Sequence, residues 1–141
     1  MASGFGPYLE QALLNLALRN VAFTPAATLY VGLSTTPISV VSGAISGLAE
    51  PTGGAYARVA YASTTGDWSA ATGGGPATVS NSVAVTFPTA TAAWGTVSAW
   101  FLADAATTGN VYAYAPVAVP QAVASGDTPS FAVGTLAASL N

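Results

Sequence analysis

The sequence predicts a mainly β fold, an antiparallel β-sandwich or partly closed barrel with one N-terminal α-helix. Three observations carry this reading. A single stretch near the start has helical periodicity, the apolar period changes to two from Thr28 onward, and clusters of Gly, Pro, Asn, Ser and Thr interrupt the chain at short intervals. Short strands separated by such turns, with one terminal helix, fit a sandwich or barrel.

The helix is expected over Pro7–Arg19. Proline suits the first helical position, Glu10 lies near the positive end of the helix dipole and Arg19 near the negative end, and Asn20 can take the left-handed conformation that closes it. Leu9, Leu13 and Leu16 recur at i, i+4 and i+7, with Leu14 and Ala17 beside them. This is one apolar stripe, and it must pack against something.

Strands follow from alternation. Leu29, Val31 and Leu33 alternate with Tyr30, Gly32 and Ser34; Val83, Val85 and Phe87 alternate with Ala84 and Thr86; Val97, Ala99, Phe101 and Ala103 alternate with Ser98, Trp100, Leu102 and Asp104. Val111 to Val117, Pro129 to Leu136 and Tyr56 to Tyr61 are further candidates, and residues 104–110 have the Gly and Asn of a hairpin loop. Residues 35–54 and 66–75 show no clear periodicity and are expected as long loops, the first candidates for intersubunit arms. No repeat or linker divides the chain, so residues 1–141 are expected to form one domain, with both chain ends tied down.

Composition narrows the function. Only Glu10, Arg19, Glu50, Arg58, Asp67, Asp104 and Asp127 carry charge, 5% of the chain, against about 25% in an ordinary soluble domain. With 31 alanines, the mean hydropathy of +0.55 reflects many small methyl groups more than bulky side chains. No apolar run approaches the roughly 20 residues of a membrane helix, and the N-terminus lacks the pattern of a signal peptide, so no membrane partner is expected. A net charge of −3 with two arginines provides no basic patch for phosphates, so no nucleic-acid partner is expected either.

The chain has no lysine, histidine or cysteine, which removes Ser-His-Asp and Cys-His nucleophilic catalysis, Schiff-base chemistry and nearly every zinc geometry. Paired carboxylates are the remaining acid–base option, with Asp67, Asp104 and Asp127 as candidates. Asp104 precedes Thr107-Thr108-Gly109 and Asp127 follows Ser125-Gly126, which are settings for a turn-forming aspartate. A weak calcium site on the same aspartates is the one metal alternative. Gly53-Gly54 and Gly73-Gly74-Gly75 open no helix and carry no phosphate-loop residues. The expectation is a protein with no catalytic residues, cofactor or metal.

Partner contact is expected at Trp100, Tyr112, Tyr114 and Arg58. By simple alternation the three rings fall on the strand face opposite Val97, Phe101, Val111 and Val117, where they could pack within the domain or against a partner. Arg58 is expected to bridge a carboxylate such as Glu50 or Asp67, within the chain or across a subunit boundary.

Four stretches carry a resemblance: Leu16 to Leu33; Gly53-Gly-Ala-Tyr-Ala-Arg58; Val85-Thr-Phe-Pro88 with Ala93-Trp-Gly-Thr-Val97; and Gly126-Asp-Thr-Pro-Ser-Phe131. Together they resemble a family of small tailed-bacteriophage virion proteins, labelled variously as tail fibre or head-associated. The resemblance implies a virion structural part and brings no functional residues with it. An uncharged Ala/Thr/Val surface suits permanent contact, because apolar contact does not weaken with salt as surface ion pairs do. The first expectation is a capsid decoration (cement) protein, a homotrimer on the outer face of the major capsid protein lattice. The alternative is a tail fibre or baseplate component that contacts a host glycan, and a virion glycosidase is a distant third.

Overall fold

The computed structural model describes residues 4–140; Met1 to Ser3 and Asn141, and with them the expectation for the extreme chain ends, lie outside the described residues. Helix α1 spans Pro7–Arg19, as its sequence predicts, with Pro7 in its first turn. Asn20 closes it in the left-handed region at φ 53°, and the Val21 N–H donates back to the Asn15 carbonyl at 3.1 Å.

The main sheet is antiparallel and five-stranded, in the order β1 (Gly4–Phe5), β9 (Val111–Val123), β8 (Gly95–Ala103), β2 (Thr28–Ser34), β5 (Val59–Ala62). It stays open, with β1 and β5 as its edges. Ribbons of β6 (Ala77–Ser80) with β11 (Ala137–Leu140) and of β7 (Val85–Thr86) with β10 (Ser130–Phe131) form separate two-stranded pieces. The described ends of the chain are both paired, Gly4 with Tyr114 and Leu140 with Ala77.

Several expectations need correction. Residues 35–54 hold a small hairpin, β3 (Ser39–Val41) and β4 (Ala44–Ser46), turned by Ser42 and Gly43 at φ 51° and 76°. Two successive positive φ values are the signature of a two-residue hairpin turn, and three-residue strands are too short for alternation to show. The Tyr56–Tyr61 strand begins only at Val59, because Ala55 is left-handed at φ 63° and the Tyr56 N–H closes a turn on the Gly53 carbonyl. The Pro129–Leu136 strand is broken after Phe131. Asn81 breaks it: its side-chain amide donates to the Ala132 carbonyl at 3.0 Å and accepts from the Leu136 N–H at 2.9 Å, while its own carbonyl takes the Gly134 N–H. Residues 66–75 contain no strand, only single bridges at Trp68 and Thr72.

The sheet buries both faces. One carries Leu29, Val31, Leu33, Trp100 and Leu102 against Phe87, Trp94 and Leu136 from the smaller ribbons and connecting loops. The other carries Phe101, Ala99, Ala103 and Tyr114 beneath Ile38, Ile45 and Leu48 of the β3–β4 arm. Ser34, fully buried, fastens that arm: its hydroxyl donates to the Thr36 carbonyl at 2.7 Å and accepts from the Ala49 N–H at 3.0 Å.

Gly32 sits opposite Phe101 in the β2–β8 ladder, and a Cβ there would collide with the Phe101 ring. The absent side chain is the space that the ring fills. Gly32→Ala is therefore expected to destabilise the protein by about 3 kcal/mol, at the upper end for overpacking a core. Urea unfolding checks this, and a change below about 1 kcal/mol would show that the ring can move aside.

Candidate functional site

Helix α1 is longer on apolar residues than on partners. It packs on β9 with Leu9 against the main core, and Leu9, Ala12 and Leu13 are half-buried, yet none of its residues is fully buried. The Leu9/Leu13/Leu16 stripe expected to be covered is covered only in its first half, since Leu16 is exposed. A second set faces away from the domain: Leu14 is 60% exposed and Leu18 78%, with Val21 just past the helix end also exposed. Single exposed apolar residues are ordinary, whereas leucines at i and i+4 on one outward helix face form a patch.

The exposed face is held rigidly. Tyr8, Phe23 and Tyr112 form an aromatic cluster at the base of the helix, with centroid separations of 5.7 Å for Tyr8–Tyr112 and 6.3 Å for Tyr8–Phe23. The Gly6 N–H donates to the Tyr112 carbonyl at 2.8 Å, which pins the helix start to β9. Glu10 and Arg19 are the only charges on the helix, one in the first turn and one in the last. No helix among the described residues is long and apolar enough to cross a membrane.

The residues singled out from sequence lie elsewhere. Trp100, Tyr112 and Tyr114 are 2%, 6% and 6% exposed, so all three rings are packed inside the protomer. Nor do they share a face: Trp100 and Tyr112 belong to the main core, Tyr114 to the cluster around Phe101. Two irregularities in the β8–β9 ladder defeat the simple alternation. Tyr112 is an extra residue between the Ala103–Val111 and Leu102–Ala113 pairs, and Val117 to Pro120 stand opposite Ser98 alone. Each bulge changes the parity of β9, and on β8 Val97 packs in the same cluster as Trp100 rather than opposite it.

Arg58 meets Glu50 within its own chain. Its Nε donates to Glu50 Oε1 at 2.9 Å and its Nη2 to Oε2 at 2.7 Å, a two-point pairing, while Nη1 donates to the Ala105 and Thr108 carbonyls at 2.7 Å each. The guanidinium lies 4.9 Å from the centre of the Phe101 ring, and the side chain is 5% exposed. The Tyr56 hydroxyl donates to Glu50 Oε1 at 2.8 Å and accepts from the Leu33 N–H at 2.9 Å. Burial, reinforced by the Glu50 charge, pushes the Tyr56 phenol well above its ordinary range.

The carboxylates work as turn formers. Asp104 accepts from the Asn110 N–H at 2.7 Å and from its side-chain amide at 2.8 Å, Asp127 accepts from the Ala124 N–H at 2.8 Å, and Asp67 accepts from the Thr64 hydroxyl. Among the described residues no three metal-ligating side chains come together. Two open clefts flank the core. One of about 680 Å³ lies between β9 and Phe131 and holds Asp127 as its single carboxylate. The other, of about 470 Å³, lies between Phe5, Trp68 and Tyr112 and holds none, so neither presents the carboxylate pair that glycoside hydrolysis needs. The Trp68 Nε1, on the second cleft, is the one buried side-chain polar atom without a partner among the described residues.

Two outcomes follow from the Arg58 cluster. Arg58→Ala strands the part-buried Glu50 carboxylate and frees the 104–110 loop, which is expected to cost about 3 kcal/mol of folding stability; equilibrium denaturation measures it, and an unchanged midpoint would reject the assignment. A phenol whose folded pKa is raised contributes stability that is complete below its unfolded value of about 10 and is lost as pH rises beyond it. Melting temperature is therefore expected to fall above pH 10, and to fall less steeply in Tyr56→Phe. Equal slopes in the two proteins would contradict this.

Of the leucines that face outward, sequence reasoning counted Leu14 with the stripe and passed over Leu18; the signal was the three-then-four spacing of Gln11, Leu14 and Leu18. A comparison with curated proteins finds no match. A family model described as Podophage GP4 fiber I protein gp80 matches residues 4–139, all but the first three and last two residues of the sequence. With a rigid, charge-poor β domain bearing an uncovered helix face, and with this match along nearly its whole length, the chain belongs to that family of phage virion structural proteins, labelled as fibre.

Proposed function

We propose that the chain is a non-catalytic structural subunit of the fibre of a podophage particle, held in place by apolar contacts that include the outward face of α1. The observation that carries this reading is the family match over residues 4–139. The exposed leucines support it, because a permanent interface is built from apolar surface that a free monomer has no reason to display. The engagement of Asp67, Asp104 and Asp127 in local turns supports a structural rather than a catalytic role. Host-glycan contact is the finer form of the fibre reading, and the cleft beside Trp68, rimmed by Ser63, Thr64, Thr65 and Ser69, is where it would be sought.

Capsid decoration, with the major capsid protein as partner, is the competing reading for the same surface. Copy number separates the two. Quantitative mass spectrometry of purified particles is expected to give a small fixed number of copies per particle, with antibody label at the tail. A ratio near a simple fraction of the major capsid protein, with label over the head, would overturn the fibre assignment in favour of decoration.

A further inference from the structure

Residues 35–50 are attached to the fold differently from the rest of the chain. Their hairpin, β3 with β4, joins no other strand, so it can lift without breaking a bond of the five-stranded sheet. It lies over Phe101 and Tyr114 through Ile38, Ile45 and Leu48, while Val40 and Val41 near its turn are exposed. Among the described residues, its side-chain hydrogen bonds to the rest of the chain are all made at its root. Thr36 and Ala49 bond the Ser34 hydroxyl, and Glu50 accepts from Tyr56 and Arg58. Three aliphatic side chains laid on a sheet face and closed at one end by polar bonds form a segment of low local stability.

The closing bond is shared with the 104–110 loop. Arg58 gives Nε and Nη2 to Glu50, and Nη1 to the carbonyls of Ala105 and Thr108. A guanidinium that is 5% exposed has little water to replace a lost acceptor, so its burial depends on these oxygens together. The loop pulls the other way. Thr108 is exposed and left-handed at φ 54°, a region that a β-branched residue strongly disfavours. What holds it there is the Arg58 bond to its own carbonyl and the pairing of Asp104 with Asn110 at the foot of the loop.

We propose that the β3–β4 arm is a strap over the second face of the sheet, and that the 104–110 loop controls it through Arg58. A contact that displaces Thr108 relaxes its backbone and takes an oxygen from the guanidinium. Arg58 then turns toward water, Glu50 loses its two-point partner, and the strap lifts from Phe101 and Tyr114. An event at an exposed loop becomes the uncovering of an apolar face. By linkage the effect is reciprocal, and a loosened strap loosens the loop. This holds wherever on the particle the chain sits.

Because the chain has no cysteine, Ala99→Cys places a single thiol in the cluster beneath the strap, and Ala90→Cys places one in the main core. In the full chain, a thiol reagent is expected to label the first about tenfold faster than the second, since the strap opens without global unfolding. Thr108→Gly accepts the left-handed backbone and is expected to slow labelling at residue 99 about threefold. Thr108→Pro forbids that backbone and is expected to speed it about tenfold. Labelling at residue 90 should follow neither change. Glu50→Gln is expected to speed hydrogen exchange at the Asp104 and Asn110 amides, whose bonds close the loop. Labelling at residue 99 that is no faster than at residue 90, or that is indifferent to both Thr108 substitutions, would overturn the strap. Equal shifts at residues 90 and 99 would mean a change in global stability and would overturn it too. Loop amides unmoved by Glu50→Gln would overturn the coupling through Arg58.

Discussion

Arg58 holds together stretches of chain that are distant in sequence and have little else to join them. Its guanidinium reaches Glu50 at the end of the β3–β4 arm, the carbonyls of the 104–110 hairpin loop, and the face of Phe101, while Tyr56 ties the same carboxylate to strand β2. In a chain with two cations, one is committed almost wholly to the interior. The arrangement works because four of the five donors of the fork are aimed at oxygens and the ring covers its face, so desolvation is met by geometry rather than by numbers of charges. The second face of the sheet depends on it: without Ile38, Ile45 and Leu48 of the arm above them, Phe101 and Tyr114 would be open to water.

How much of this was legible in the sequence varies with the range of the forces involved. Helix α1 could be read to the residue, because proline at its start, asparagine at its end and the leucine spacing between are local signals that nothing distant overrides. The alternation of β2 and β8 was equally plain. What failed was whatever depended on a partner strand. The β8–β9 bulges at Tyr112 and at Val117 to Pro120 exist only in the pairing, and so the faces assigned to Trp100, Tyr112 and Tyr114 could not be read from one strand. Asn81 gave no sign, since an asparagine between serines reads as an ordinary turn until Ala132 and Leu136 arrive to bond it. For the candidate site, Glu50 was correctly among the partners considered for Arg58. Of the outward leucines, Leu14 was counted as part of the buried stripe and Leu18 was passed over, because a helix with two apolar faces differs little in sequence from one with a broad one.

The division of labour in the molecule is consistent with a part that is assembled once and then left alone. Most of the aromatic residues fill the interior of the protomer, the carboxylates shape its loops, and the apolar side chains left outside include Leu14, Leu16 and Leu18 of α1. A fibre component needs a domain that does not deform and a face that does not let go, and these are placed on different elements of the same chain. The sheet supplies the first and the helix is positioned to supply the second.

Strand β9 is the longest in the protein, and β1 covers only Ala113 and Tyr114 on its outer side. A bare edge of that length would invite another sheet to extend it. Here Pro116 and Pro120 remove two donors, and the bulge between them throws Val119 outward and bends the strand away from a straight ladder. Backbone-to-backbone templating is thereby disfavoured as a way for one copy to extend another. Assembly is left to side chains, which can specify how many neighbours join and then stop.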